Sequence, residues 1–345
     1  MAKRYRVVQW ATGNIGARSL RAVIEHPQMD LAGLWVSSPD KLGKDAGELC
    51  GAAPTGVRAT GSLADILALK ADCVLYMRQG TDFDEVCALL EAGTNIVTTR
   101  GDFHQPRTMD PAIRARVEEA CRRGGTSIYS TGSSPGFVTE ALTIPLLSLA
   151  RRHDGITIDE YADMASRNSP DLIFNVMGFG VPLGEFDQRK IDYVKHDFAA
   201  SLGQVADAIG LPCDVFEATG EMAAARNTTT IAAGVIEAGA VGAMRITVTG
   251  KRAGKLVIRF RANWYCTADI AEDWALRGSG WKVRSEGDTP VEVSITFPVA
   301  PEDFAAFTPG LTAHRAVNSV VTVCEAPPGI CTTVDLPQVI AQFAG

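Results

Sequence analysis

Short apolar runs alternate with stretches of helical spacing along the first third of the chain. Residues 5–10 are a compact apolar run, the pattern of a strand buried on both faces. Residues 15–25 place Ile15, Leu20, Val23 and Ile24 on one side of a helix. The pattern then predicts strands over 31–36 and, more weakly, 57–60. A helix follows, opened by Ser62 with Asp65 three residues on, a pairing that satisfies first-turn amides. Next come a strand over 73–77, a helix over 82–92 stopped by Gly93, and a strand over 95–99. A helix over 111–123 starts at Pro111 and ends before Gly124-Gly125, and a strand over 126–130 closes the series. Strands separated by helices of this length imply βαβ units and a parallel, doubly wound α/β sheet over residues 1–135.

The texture changes after Ser130. The turn-rich TGSSPG (131–136) leads into a predicted long helix over 137–152. Strands are then expected over 156–162, 244–250, 255–265 and 291–297. Several alternate polar and apolar residues, as in RITVTG and VEVSITF, which suits a mixed sheet with one face covered. This reads as a second, α+β domain over 136–308. A helical block over 311–325 is followed by APPG at 326–329.

A length of 345 residues fits two domains, and 46% apolar with 21% charged residues is enough for two cores. The net charge of −7 argues against the basic stripe of a nucleic-acid-binding protein, so no nucleic-acid partner is expected. It leaves room for a phosphate-bearing ligand held by backbone amides. No apolar stretch reaches the roughly 18 residues of a membrane span; 231–244 comes nearest and is broken by Glu237. The N-terminus runs directly into a strand with no apolar leader pattern. The eight cysteines include no C-x-x-C pair, so they are expected as buried thiols of a reducing cytoplasm, with no metal site.

The clearest chemistry lies after the first strand, at Trp10-Ala11-Thr12-Gly13-Asn14-Ile15-Gly16. A pyrophosphate needs a tight strand-to-helix turn, close backbone approach and a helix N-terminus aimed at it. Gly13 and Gly16 supply two of the three usual glycines, with Trp10 or Ala11 in place of the first. The context, after a strand and opening a helix, is that of a Rossmann dinucleotide site, with Thr12, Gly13, Asn14, Ile15 and Gly16 as its turn. An NAD site would place a carboxylate at the tip of the second strand. Here that tip reads Val36-Ser37-Ser38-Pro39-Asp40-Lys41, so Ser37, Ser38 and Lys41 are expected to hold a 2′-phosphate, favouring NADP. The alternative, NAD, has Asp40 holding the ribose. Arg78 and Thr99, on the loops after the fourth and fifth strands, are further cofactor candidates.

Substrate chemistry is expected beyond the carboxyl ends of the strands. The loop after the fifth strand carries Arg100, Asp102 and His104 within five residues. Hydride transfer to C=O or C=N leaves an atom that must be protonated or charge-stabilised, and Asp102 and His104 are the candidates. The competing reading is a solvated loop. Asn168, Phe174 and Met177 are candidates for a substrate pocket in the second domain, although aromatic and Met residues at this spacing are as often plain core. Asn318, one turn after His314, is a candidate partner for the cofactor carboxamide.

VVQWATGNIG, VTTRGD, TGSSPGF and VNSV…APPGI together resemble the dihydrodipicolinate-reductase-like oxidoreductases. Within them the chain is most similar to 2,4-diaminopentanoate dehydrogenase and the native amine dehydrogenases. The resemblance implies that 309–345 return to complete the first domain, that the second domain binds substrate and dimerises, and that the nicotinamide lies at the floor of a cleft between them. It implies a homodimer or homotetramer acting on a small molecule by hydride transfer to a carbonyl or imine. Two departures stand out. The amine dehydrogenases carry Glu after Gly in the fifth-strand loop, whereas this chain has Gly101-Asp102, one methylene shorter. The His-His pair of the dihydrodipicolinate reductases is missing from the second domain. Two other readings remain: a reductase or dehydrogenase of a larger apolar carbonyl or hydroxyl compound without amine chemistry, and an NADPH-binding protein without turnover.

Overall fold

Strand β1 (Tyr5–Trp10) is buried at every position but Arg6, which is why it is almost continuously apolar. A computed structural model describes residues 3–343 and divides them into two compact units. One contains the chain up to Phe137 together with the chain from Thr308 onward; the other is Val138–Phe307.

In the first unit, helix α1 (Asn14–Glu25) turns Gly16, Ser19, Leu20 and Val23 inward. Strands β2 (Met29–Trp35) and β3 (Ala59–Thr60) lie outward from β1. The Ser62 hydroxyl accepts from the Asp65 amide at 3.1 Å and caps α2 (Leu63–Ala68). The chain then crosses back to β4 (Cys73–Tyr76), which pairs with β1 on its other side. Helix α3 (Phe83–Glu91), capped by Asp82, leads to β5 (Asn95–Thr98). Helix α4 (Pro111–Gly124), capped by Asp110 and closed by Gly125 at φ +66°, leads to β6 (Ser127–Ser130). The reversal beside β1 creates a topological switch point, the place where ligands of such sheets bind.

The second unit is a six-stranded sheet ordered β14-β13-β7-β12-β11-β8, with a small hairpin apart from it. Its strands are β7 (His153–Asp163), β8 (Val215–Ala224), β11 (Val241–Arg252), β12 (Lys255–Tyr265), β13 (Gly280–Gly287) and β14 (Val291–Thr296). The hairpin is β9 (Thr229–Ile231) with β10 (Gly234–Ile236). The β7–β12 pair is parallel and the other pairs are antiparallel, so the sheet is mixed. Helix α5 (Gln188–Ala208) lies against β8, β11 and β12, with Phe198 stacked on Phe260 at 3.8 Å. Helix α6 (Phe304–Asn318) and a short helix, Val320–Cys324, follow. Strand β15 (Gly329–Cys331) then adds a seventh parallel strand beside β6. The expected class, a parallel doubly wound sheet plus an α+β unit with a mixed sheet, is the one observed.

Several elements differ from the sequence reading. The helix expected over 137–152 has its last regular part at Thr143–Leu147, and the chain becomes strand by His153. Pro145 lacks an amide, and the Arg151 and Arg152 amides donate instead to Asp288. The block expected over 311–325 begins earlier, at Phe304, and breaks at Ser319, whose hydroxyl donates to the Arg315 carbonyl at 2.8 Å. Helix α5 and strands β8, β13 and β15 were not foreseen from the pattern. β15 is only three residues long and is made a strand by its pairing with β6.

Candidate active site

The turn between β1 and α1 is built around a residue in an unusual conformation. Ala11 has φ +74°, the left-handed region that a glycine takes at little cost. Its amide donates to the Trp35 carbonyl at 2.8 Å. Its carbonyl accepts from Gln9 Nε2 at 3.0 Å, and Gln9 Oε1 accepts from the Ser19 hydroxyl at 2.7 Å. Gln9 is fully buried, so this network holds the bend rigidly and keeps its strain. In the sequence Gln9 stands out only as a lone amide inside the buried run YRVVQW.

A Cβ on Gly16 would lie 2.2 Å from the Ala11 carbonyl oxygen, so helix and turn approach as closely as backbone allows. A Cβ on Gly13 would meet nothing within 4 Å. Gly13 is also the N-cap of α1 and offers no side chain to its first-turn amides. The bend therefore presents uncapped amides, the positive end of a helix dipole and open space in one place, which fits a diphosphate.

Lys41 approaches from the loop after β2, its Nζ 3.1 Å from both the carbonyl and the hydroxyl of Thr12. Ser37 is exposed, and Ser38 precedes the short turn Pro39–Lys41 without capping it. After β4, Arg78 pairs with Glu85 at 2.7 Å and lies 5.7 Å from the centroid of Trp35, which stacks on Trp10 at 4.5 Å. Glu85 also accepts from the Tyr76 hydroxyl at 2.8 Å. Burial, and then Glu85, push the Tyr76 phenol up, so it stays a donor. Arg78 borders a 350 Å³ cavity formed by the loop 78–84.

After β5, Thr99 is half-buried and Asp102 sits in the turn Gly101–Phe103. Asp102 Oδ2 accepts from the Thr81 hydroxyl at 2.6 Å, which ties the β5 loop to the β4 loop. Phe103, His104 and Gln105 are 1%, 3% and 2% exposed, so His104 does not stand on a solvated face, whereas Asp102 is half-buried. Thr81 had not been singled out; nothing in its neighbourhood marks it before the two loops meet. Asn318 is half-buried at the end of α6. Four residues earlier His314 lies beside Gly310 and Arg18, and desolvation, then the Arg18 charge, lower its pKa.

The first unit thus gathers Thr12–Gly16, Ser37, Ser38, Lys41, Arg78, Thr99, Asp102 and His104 on loops after parallel strands. Asn168, Phe174 and Met177 belong to the second unit. There Met177 lines a 390 Å³ cavity with Val176, Phe186, Tyr193, Met244 and Trp264, its surface mostly apolar although Asp187, Arg189 and Lys190 also border it. Phe174 packs instead against Gly180 and Gly234, beside a core containing Ile173 and Phe179. Asn168 is exposed and does not line that cavity, because the chain at Arg167–Ser169 is a tight turn at the surface.

The family model described as the 2,4-diaminopentanoate dehydrogenase C-terminal domain matches residues 137–344. The chain belongs to this family. It is 27% identical to an amine dehydrogenase of Streptomyces virginiae over 96% of its own length and 95% of that protein. It is 24% identical to the 2,4-diaminopentanoate dehydrogenase of Acetoanaerobium sticklandii over 44% of each chain. The solved structure of an amine dehydrogenase from Mycobacterium smegmatis has the same fold, with a TM-score of 0.74 at 18% identity over 98% of this chain and 97% of that one. This diaminopentanoate dehydrogenase family member is an NAD(P)-dependent oxidoreductase with an amine dehydrogenase-like architecture. No helix among its described residues is long and apolar enough to cross a membrane, and no metal-binding cluster of His, Cys, Asp or Glu occurs among them.

Proposed function

We propose that the protein interconverts a carbonyl compound plus ammonium with the corresponding amine, using NADPH in preference to NADH. The observation that carries this reading is the Asp102 carboxylate, fixed by Thr81 on the loop that follows β5. When bound, the nicotinamide supplies or accepts the hydride. Asp102 offers a negative charge that attracts an ammonium or iminium, takes a proton from the ammonium as its nitrogen adds to the carbonyl, and returns that proton to the hydroxyl that leaves as water. The Thr81 hydrogen bond keeps one carboxylate oxygen occupied and leaves the other for substrate. His104, buried on the same loop, is the second candidate for proton exchange. Reductive amination by the purified protein, measured as NADPH consumption across a carbonyl panel with and without ammonium, tests the reading. Ammonium-independent turnover of large ketones would overturn it in favour of a plain reductase, a reading that draws on the apolar cavity of the second unit.

The NADP preference rests on Lys41 and the hydroxyls of Ser37 and Ser38. A charge-assisted contact to a 2′-phosphate contributes roughly 1.5–3 kcal/mol. Lys41→Ala is therefore expected to raise the NADPH Kd at least about tenfold and leave the NADH Kd within about twofold. Fluorescence titration with both coenzymes reads this directly; equal losses for the two would assign Lys41 to the Thr12 turn alone. A homodimer or homotetramer is also proposed, since α5 covers one face of the second sheet. A cytoplasmic setting is supported by eight cysteines that all stand as free thiols.

A further inference from the structure

Two thiols of the first unit meet where the C-terminal return lies on the sheet. Cys73 opens β4 and is 0% exposed. Cys324 ends the short helix Val320–Cys324 and is half-buried. Val320 and Val323 of that helix share one apolar cluster with Cys73 and Leu75, and Cys324 packs at its rim. The Cys324 thiol donates to the Asp72 carbonyl at 3.7 Å, which sets it beside the next side chain along β4. There the two thiols share a hydrogen bond.

The return is fixed on either side of this contact. Glu325 accepts from the Tyr5 hydroxyl at 2.6 Å, and the Pro327 carbonyl accepts from the Ser127 hydroxyl at 2.8 Å. β15 then pairs with β6. The chain around Cys324 is therefore anchored on β1 and β6, and the thiol is kept against Cys73 by the fold.

The two sulfurs differ in access. Cys73 is enclosed, and burial, then the neighbouring thiol, push its pKa well up, so it stays protonated. Cys324 is the one a small oxidant reaches first. We propose that Cys73 and Cys324 form a reversible oxidation site for a hydroperoxide, in which a disulfide ties the C-terminal return to β4. The Cys324 sulfur attacks a peroxide oxygen, the O–O bond breaks, and Cys324 becomes a sulfenic acid as water leaves. The Cys73 sulfur then attacks the Cys324 sulfur. The S–O bond breaks, and the departing hydroxide takes the Cys73 proton as a second water. The two thiols lose two electrons in all, and one hydrogen peroxide is reduced to two waters. A dithiol reverses the change by exchange. Because the bond joins native neighbours far apart in the chain, it removes unfolded conformations with little cost to the folded state.

The test treats the purified, reduced protein with a slight excess of hydrogen peroxide and maps its peptides without reduction. A linked Cys73–Cys324 peptide pair is expected, about 2 Da lighter than the two thiol peptides together, and dithiothreitol should separate it. The Tm of the oxidised protein should rise by at least about 3 °C and return on reduction. In Cys73→Ser no second thiol can close the bond, so dimedone should label Cys324 after peroxide. Cys324→Ser changes only the half-buried position and should abolish both the linked pair and the Tm shift. Two unlinked thiols in peroxide-treated wild type, or Cys324 carried to its sulfinic acid with no bond formed, would overturn the proposal. So would a linked protein that melts below the reduced one, because the bond would then work against the native packing.

Discussion

Asp102→Asn is expected to lower kcat for amine oxidation or reductive amination by about 10²–10⁴-fold, with the NADPH Kd within about twofold of wild type. The amide keeps the size of the side chain and can still meet Thr81, which donates to Asp102 at 2.6 Å. It cannot hold a negative charge or take a proton, so the loss isolates the chemistry from the packing. Asp102→Ala should match it in rate. Thr81→Val should give a smaller loss, of about tenfold, because it frees the carboxylate to turn without removing it. Asp102→Glu is the informative companion: the amine dehydrogenases this chain resembles carry the longer acid at the matching place. If the added methylene costs activity, the substrate sits closer to the loop here. Steady-state kinetics on one confirmed substrate, with coenzyme affinity measured separately, decides these cases. An Asp102→Asn protein with undiminished kcat would move the proton chemistry elsewhere in the chain.

The first unit was largely legible because its signals are local. Buried parallel strands appear as apolar runs, helix starts are marked by Ser62, Asp82 and Asp110, and ends are marked by Gly93 and Gly125. The bend between β1 and α1 was readable from Gly13 and Gly16 even with Ala11 where a glycine is usual. What could not be read was how that substitution is tolerated, since it depends on Gln9, Ser19 and Trp35 meeting in space. The second unit resisted for a different reason. Helix α5 carries Asp192, Lys195, His196 and Asp197 among its apolar positions, and β8 carries Glu217 and Glu221 and buries only Ala223. Their places are fixed by neighbours such as the Phe198–Phe260 stack and the β11 ladder. The candidate site followed the same division. Residues on single loops, such as Lys41 and Asp102, could be named from the sequence, while Thr81 emerges only when separate loops are brought together.

Two glycine substitutions three residues apart should fail in different ways, and the contrast tests the diphosphate assignment more sharply than either alone. In Gly16→Ala the new methyl would lie 2.2 Å from the Ala11 carbonyl oxygen and 3.2 Å from Gln9 Nε2. Backbone on one side and a fully buried amide on the other leave little room to yield, so about 1–3 kcal/mol of stability should be lost. That corresponds to a fall in Tm of roughly 2–12 °C, and coenzyme binding should drop as α1 is pushed off its bend. In Gly13→Ala the methyl enters open space and the N-cap backbone, at φ −70° and ψ −169°, suits alanine. Stability should therefore stay within about 0.5 kcal/mol of wild type. The same methyl occupies the volume in front of the first-turn amides, where a pyrophosphate must make backbone contact, so NADPH and NADH affinities should both fall at least about a hundredfold. Thermal unfolding with and without coenzyme separates the outcomes. Gly16→Ala lowers the Tm of the ligand-free protein, whereas Gly13→Ala preserves it but removes the upward shift that NADPH gives the wild type. A Gly13→Ala protein that still gained the full shift would place the dinucleotide phosphates away from this helix, and with them the whole arrangement of coenzyme along the strand ends.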